Sequence, residues 1–328
     1  MGRDMKVTAL SQFRSSPASG ALRNLAPPAL LLFLVGFIAL FVPSFISVQT
    51  LTMVLADTAV LFILATGETF VILLGGIDLS IQALASLASV IVAQLLPTLG
   101  LGAFPIAILA GLLFGAASGV VHVRLRVPSF VATLASGGVV AGLALLAAHG
   151  RAITIEEAGR VHTGWINDST AGLPNVVAIA ALVGFAGFFV LRYTRFGRHS
   201  VAVGAGEPAA LAAGVNVDRT KIIGFAISGT LAALAGVILA ARLSSGSPSL
   251  ANQLLLPAIA AVIVGGTAIT GGLGSVGRTA IGALIISVVR IGMTFVGVNI
   301  FAENIVFGAM LIVAVSITID RSKIAIIK

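Results

Sequence analysis

The chain contains 328 residues, of which 58% are hydrophobic and only 9% are charged. Soluble domains are about half apolar and about a quarter charged, so this composition excludes an ordinary soluble domain and indicates a protein that crosses a membrane several times. The net charge is +8 and there is no cysteine. The basic residues fall in short loops, where they orient a membrane protein, so we expect no nucleic-acid partner; a thiolate metal site and a cysteine nucleophile are excluded.

Apolar runs rich in Leu, Ala, Val, Ile and Gly recur along the whole chain. Because these runs are continuous rather than alternating, they predict helices and not the strands of a membrane barrel. The first run is too long for the core of a signal peptide, so we expect it to be retained. Ten spans are predicted, near residues 25–45, 50–74, 79–96, 101–121, 128–149, 173–191, 219–241, 254–270, 279–298 and 301–319. The third is short, which allows a broken or re-entrant segment there.

The predicted fold is therefore an all-α, polytopic membrane bundle of about ten transmembrane helices. Its transmembrane domain covers residues 25–320, between a tail at 1–24 and a tail at 321–328. Fifteen of the nineteen Lys and Arg residues fall on the side of the membrane that holds both tails. Since basic loops stay in the cytoplasm, both termini are predicted to be cytoplasmic.

The second predicted span ends in Leu-Leu-Gly-Gly-Ile-Asp-Leu-Ser, residues 73–80. Gly75 and Gly76 permit a sharp break at the cytoplasmic end of this span. Asp78 is placed to cap the next helix, because its carboxylate can accept backbone N–H groups two or three residues further on. We expect the corner formed by Gly75, Gly76, Asp78 and Ser80 to be mainly architectural, with gating as a secondary role.

Three charged residues fall inside predicted spans: Asp57 and Glu68 in the second, and Arg290 in the ninth. On insertion scales a charge at the helix centre costs about 2.5–3.5 kcal/mol, so such residues should pair or face water. The spacing of Asp57 and Glu68 puts both carboxylates on one helix face, about 16 Å apart. Two interpretations stay open: a structural ion pair between Glu68 and Arg290, or side chains that line the substrate path.

The sequence shows no catalytic constellation. None of the four lysines follows a glycine, so the Gly-Lys-Ser/Thr phosphate cradle cannot form. No Gly-x-Ser-x-Gly elbow occurs, and the four histidines lack a second ligand at metal-binding spacing. We therefore expect a transport subunit with no ATPase site, metal or cofactor of its own. Uphill transport would then need an ion gradient or a separate ATPase that docks on the cytoplasmic side.

The predicted cytoplasmic connection at 192–218 contains Glu-Pro-Ala-Ala-Leu-Ala-Ala-Gly, starting at Glu207. Pro208 suits a first helical turn, and Gly214 suits the left-handed position beyond a helix end. A helix of about six residues, about 9 Å long, is predicted between them. Alanines such as Ala209 and Ala210 leave its surface smooth, so it could fit a groove on a partner and transmit displacement. A plain connector is the alternative.

Four segments carry a resemblance to a known family. They are residues 75–80, 127–135, 207–222 and the glycine-rich block at 258–285. They occur in the family's order, and the resemblance covers roughly residues 50–320. The chain resembles the membrane-permease subunit of the ATP-binding-cassette (ABC) importers that take up ribose, xylose and similar sugars.

The resemblance implies a large-bundle (type II-like) permease fold in the bacterial inner membrane, surrounded by lipid. It implies a second permease copy, identical or a sister chain, above two ATP-binding subunits. A periplasmic sugar-binding protein would deliver a monosaccharide or related polyol, and residues 192–218 would form the coupling loop. The chain departs from the family at Pro208 and Leu211, where a second acid and often an arginine are usual. Arg290 stands where the family often has a pore-lining asparagine.

Two other functions stay open from the sequence. A branched-chain amino-acid permease of the same superfamily shares the glycine-rich blocks, although Gly-Ile-Asp-Leu-Ser favours sugars. A proton-coupled secondary transporter would use Asp57 or Glu68 as a proton relay, and it would leave the coupling-like loop unexplained. A channel fits less well, because no ring of repeated acids or filter-like run is evident.

Overall fold

The computed structural model describes residues 17–299 and 302–318, with side chains described over 25–299 and 302–316. Over these ranges the chain forms thirteen α-helices and four two-residue strands. The helices are α1 (Pro17–Phe41), α2 (Val48–Leu73), α3 (Ile81–Leu99), α4 (Ala103–Arg124), α5 (Ser129–Ala147), α6 (Glu157–Asn167), α7 (Asn175–Tyr193), α8 (Arg195–Ala205), α9 (Glu207–Ala212), α10 (Val217–Leu243), α11 (Leu255–Val264), α12 (Val276–Phe295) and α13 (Glu303–Thr318). The strands form two antiparallel pairs, β1 (Ile153–Thr154) with β4 (Ser245–Gly246), and β2 (Ser169–Thr170) with β3 (Leu173–Pro174).

The helices agree in position with the predicted spans. Six stretches of the described chain are long and apolar enough to cross a membrane, and one of them, Ile81–Arg124, contains both α3 and α4. Shorter apolar helices cover 25–41, 252–264 and 303–316. The all-α class of a multi-pass membrane protein is thereby confirmed, and the number of about ten crossings stays a prediction.

The clearest difference from the predicted spans lies at residues 254–270. The helix there, α11, has ten residues and ends at Val264, so it is about 15 Å long, half the thickness of a bilayer core. Gly266, Gly271 and Gly272 have positive φ angles of 96°, 87° and 76°, which a right-handed helix cannot contain. The span was predicted too long because the composition stays largely apolar through the loop that follows the helix. The third span contains no break, since α3 is one helix of 19 residues.

Two amphipathic helices, α6 and α8, were not predicted. The former buries Gly159, Thr163 and Ile166, and the latter buries residues 197, 200 and 203, so each packs one face on the bundle. Neither is apolar enough to be recognised as a span. Of the predicted tails, residues 1–16 and 321–328 lie outside the described residues, and residues 17–24 belong to α1.

The bundle is organised around α10, which packs against α2, α3 and α4. Gly111 and Gly115 of α4 face α10 so closely that an added Cβ would lie under 3.0 Å from the carbonyl oxygens of Gly229 and Phe225. Gly236 of α10 approaches the backbone of α3 in the same way. Small residues let helix backbones approach closely in membrane bundles, and these glycines do so here.

Two ends of the bundle carry the connections. The α6 end holds α6, the pair β1–β4 and the segment before α11; there the Asn167 side-chain amide donates to the carbonyl of Ala241 (3.0 Å). The α9 end holds α8, α9, the corner between α2 and α3, and the glycine-rich loop after α11. Because α2, α10 and α12 run from one end to the other, residues early in α2 lie near residues late in α10 and α12.

The outward faces of the bundle are apolar. Leu134 and Leu146 on α5 are 63% and 73% exposed, and Leu182 and Phe185 on α7 are 70% and 68% exposed. In contrast, α2 is buried along most of its length. Exposed apolar surface of this extent marks a face that contacts membrane or another protein, as expected for a bundle surrounded by lipid.

Candidate functional site

A polar cavity of about 640 Å³ opens at the α6 end of the bundle. It lies where the early part of α2 faces the ends of α10 and α12 and the beginning of α13. Its charged and amide side chains are Asp57, Arg242, Gln253, Arg290, Glu303 and Asn304, and its apolar wall is Val60, Leu61, Leu239, Leu243, Leu250 and Leu254. A volume of this size, with an apolar wall and a few polar groups, is typical of a small-molecule site.

The structure brings Asp57 and Arg290 together, as two of the three predicted pathway residues. Arg290 Nη2 donates to Asp57 Oδ1, and both side chains are about four-fifths buried. The alternative ion pair between Glu68 and Arg290 is wrong. Glu68 lies three helical turns further along α2, about 16 Å from Asp57 along the axis, whereas Arg290 lies near the opposite end of the bundle.

Four charged or amide residues of the cavity were not predicted from the sequence: Arg242, Gln253, Glu303 and Asn304. Arg242 lies in the last turn of α10, and its Nη1 donates to the carbonyl of Ala56 (2.8 Å). Asn304 begins α13 beside Glu303, and its side-chain amide donates to Gln253 Oε1 (3.2 Å). Their positions at helix ends were a usable signal, because helix termini at one end of a bundle converge, but the sequence does not say which termini are neighbours.

Glu68 belongs to a different site, at the corner between α2 and α3. Glu68 and Asp78 are both fully buried. The backbone N–H of Asp78 donates to Glu68 Oε1 (3.1 Å), and Glu68 Oε2 has no hydrogen-bond partner among the described residues. Glu68 therefore fixes the corner to α2, and the structure does not place it with Asp57 and Arg290.

The Asp78 carboxylate accepts three hydrogen bonds. Its Oδ1 accepts from the Ser80 backbone N–H (2.9 Å) and hydroxyl (2.5 Å), and its Oδ2 accepts from the Ser228 hydroxyl on α10 (2.8 Å). Burial raises the pKa of Asp78 above its ordinary value, and the bonds from Ser80 and Ser228 oppose that rise. The predicted acceptance of an N–H two residues on is confirmed. That N–H belongs to Ser80, however, which precedes the first turn of α3, so Asp78 does not cap α3 itself. Through Ser228, Asp78 instead ties the corner to α10.

The two glycines of the corner end α2. Gly75 has a φ of 80°. Its N–H donates to Ile72 O, and the N–H of Gly76 donates to Val71 O. This is the Schellman pattern, in which a right-handed helix ends at a glycine in the left-handed conformation. Side chains of α5 hold the next residues: Ser129 Oγ accepts from the N–H of Ile77. The predicted break at Gly75 and Gly76 is therefore confirmed.

The predicted six-residue helix is present as α9, Glu207–Ala212. Pro208 lies in its first turn, and Gly214 adopts a φ of 80° beyond its end. Ala210 is buried, whereas Leu211 is 64% exposed. Glu207 pairs with Lys221 of α10 (2.7 Å), so its carboxylate is directed to this chain's own α10.

Backbones meet directly behind α9, at a junction of three segments: the end of α2, the end of α8 and the glycine-rich loop after α11. The N–H of Gly272 donates to the carbonyl of Leu73 (2.9 Å). A Cβ on Gly204 of α8 would lie under 3.0 Å from that carbonyl, and one on Gly271 would lie under 3.0 Å from the backbone of Gly75. The ends of α2 and α8 and the glycine-rich loop are therefore packed backbone against backbone, with no room for a side chain between them.

Among the described residues no group of three or more His, Asp or Glu side chains is arranged to hold a metal ion. The chemistry available at the α6 end is hydrogen bonding from guanidinium, carboxylate and amide groups. The α9 end offers a short exposed helix that is rigidly connected to the bundle. Together the fold and these two sites define a multi-pass helical membrane protein.

Comparison with known proteins identifies the family. The chain belongs to the family described as the permease component of the branched-chain amino acid transport system, which matches residues 50–315. The ribose import permease protein RbsC of Bacillus subtilis is 36% identical over 93% of this chain and 95% of its own length. RbsC of Haemophilus influenzae is 36% identical over 76% of this chain and 78% of its own. The L-arabinose transport system permease protein AraH of Escherichia coli is 34% identical over 90% of each.

Proposed function

We propose that this chain is the membrane-permease subunit of a bacterial ABC importer that passes a monosaccharide or related polyol across the inner membrane. The observation that carries the proposal is similarity over nearly the whole chain to permeases of ribose and arabinose transport. The short exposed helix α9, rigidly joined to the bundle, supports it, because a permease without an ATPase site needs a part that receives force.

The complete importer would contain a second permease, identical or a sister chain, two copies of an ATP-binding subunit, and a periplasmic sugar-binding protein. The α9 end would face the cytoplasm together with both termini, and about ten helices would cross the membrane. Basic residues support this orientation, since Arg192, Arg195, Arg198 and Arg219 all lie at the α9 end and basic loops stay inside.

Force would enter at α9, through Glu207, Pro208, Ala209, Ala210 and Gly214. The exposed Leu211 gives this helix an apolar contact for the ATP-binding subunit. The backbone junction would carry the movement to Leu73 and the corner. In this proposal the corner residues keep the ends of α2 and α3 together while the bundle changes conformation.

A branched-chain amino-acid permease is the second candidate, because the description of the matched family names that cargo. The experiment that separates the two uses the permease reconstituted in proteoliposomes with its ATP-binding subunit and binding protein. We expect ATP-dependent uptake of labelled ribose or arabinose and none of leucine. Uptake of leucine alone would favour the second candidate, and accumulation of solute without the ATP-binding subunit would overturn both. Collapsing the proton gradient while ATP is held constant tests the proton-coupled alternative, which predicts loss of uptake.

A further inference from the structure

The cavity at the α6 end has a balanced set of charges. Two of its side chains are basic and two are acidic, so the ionised groups sum to zero: Arg242, Arg290, Asp57 and Glu303. In a partly buried site, a zero sum of charges restricts the net charge of the ligands that can bind. A ligand that carries a net charge would add an uncompensated charge, and burying such a charge is costly.

The cavity also presents hydrogen-bond donors and acceptors side by side. A guanidinium has five N–H donors; Arg242 directs one of its nitrogens to Ala56 O and Arg290 directs one to Asp57. Further donors of both therefore remain for a ligand. On the acceptor side, the carboxylate of the half-buried Glu303 lines the cavity, and the Gln253–Asn304 amide pair adds both types of group.

Neighbouring hydroxyl groups match this arrangement. Each hydroxyl both donates and accepts, so adjacent hydroxyls can bridge a carboxylate and a guanidinium without changing the charge of the site. The leucines of the wall can cover the C–H face of such a molecule.

We propose that this cavity binds a neutral polyhydroxylated molecule and discriminates against anionic sugars by its charge balance. The proposal rests on the proposed function for the arrival of such a molecule at this end of the bundle. It adds the residues that contact the molecule and the rule by which they select it.

The test uses the absence of cysteine from the chain. Leu250→Cys places a single thiol in the cavity wall, and Leu243→Cys gives a second reporter there. In the complete importer, the rate of thiol modification by a maleimide is measured with ribose, arabinose or galacturonate present. We expect ribose or arabinose to slow modification several-fold, and galacturonate to leave it unchanged. Val161→Cys, on the exposed face of α6 and outside the cavity, should react at one rate throughout.

A charge change sharpens the test. Glu303→Gln on the Leu250→Cys background leaves the cavity with one net positive charge, so we expect galacturonate now to protect the thiol. Glu157→Gln, an exposed acid on α6 outside the cavity, is the matched control and should leave the selectivity unchanged.

Two results would overturn the proposal: equal protection by ribose and galacturonate before the charge change, or no protection of either reporter by any sugar. Uptake by the unaltered chain is measured in parallel, and it distinguishes failure of the cavity proposal from failure of the proposed function. If sugar is taken up and the thiols are not protected, this cavity is not the binding site and the proposed function stands. If no sugar is taken up with ATP present, the proposed function fails, and thiol protection still decides whether the cavity binds neutral polyols.

Discussion

Asp78 shows how a single buried carboxylate can be held by a complete set of partners. Three donors reach it from Ser80 and Ser228, while Glu68 accepts from its backbone N–H. The residue therefore connects α2, the corner and α10. We expect its hydrogen bonds to matter more for stability than its charge, because a buried donor left without an acceptor costs about 1–3 kcal/mol.

This account predicts different outcomes for two substitutions. Asp78→Asn keeps an oxygen for the donors of Ser80, and its amide can donate to the Ser228 hydroxyl. Asp78→Ala leaves all these donors without an acceptor, so we expect a lower unfolding temperature in detergent and a larger loss of transport. Thermal unfolding and uptake measured on both variants check this. Equal losses would indicate that the charge, and not the bonds, is required.

The pathway residues mark the limit of prediction at this scale. Asp57, Glu68 and Arg290 stood out from the sequence because ionisable groups are costly inside a membrane. Helical spacing correctly separated the two carboxylates along α2, but it could not say which of them Arg290 contacts. The partner of Arg290 depends on how α2 and α12 are placed relative to each other, and residue spacing within one helix gives no information about this placement.

At the scale of elements, the junction behind α9 connects the short helix to the bundle. Gly204, Gly271 and Gly272 let backbones from three segments come together where a side chain would not fit. We expect segments packed in this way to move together, because there is no free space in which one of them could shift without the others.

Gly204→Ala tests whether this junction transmits force. The added methyl group would collide with the carbonyl of Leu73, so α8 must shift; overpacking of this kind costs about 1–3 kcal/mol of stability. We expect ATP hydrolysis by the complete importer to continue while sugar uptake falls strongly. Gly138→Ala on α5 is the control, since nothing lies within 4 Å of a Cβ there, and it should leave both activities unchanged. Unimpaired uptake by a folded Gly204→Ala variant would contradict the role of the junction.

At the scale of the whole molecule, orientation follows from the distribution of charge. The α9 end carries most of the basic residues, and the α6 end carries the cavity. If the α9 end is cytoplasmic, a solute released outside meets the cavity, and ATP hydrolysis acts on the opposite end of the same bundle. Coupling between the ends would then travel along α2, α10 and α12.

The orientation can be measured directly on the cysteine-free chain. Val161→Cys on α6 should react with a membrane-impermeant thiol reagent in spheroplasts, because that end is expected to be external. Ala213→Cys, just after α9 and exposed, should react only after the membrane is permeabilised. The reverse pattern would invert the proposed topology, and the unaltered chain supplies a background without thiols.

The sequence by itself determined the class of protein, the approximate positions of its apolar helices, the corner at Gly75 and Gly76, and the six-residue helix at Glu207. These features depend on composition, on hydrophobic runs and on the backbone preferences of glycine and proline, which are local. Only the tertiary structure decided that Arg290 contacts Asp57, that Arg242 and Glu303 complete the cavity, and that Asp78 reaches Ser228. It also shortened the eighth predicted span, where glycines with positive φ angles interrupt an apolar stretch. These contacts join residues up to 233 positions apart in the chain, and they form because neighbouring helices are selected by packing of the whole bundle.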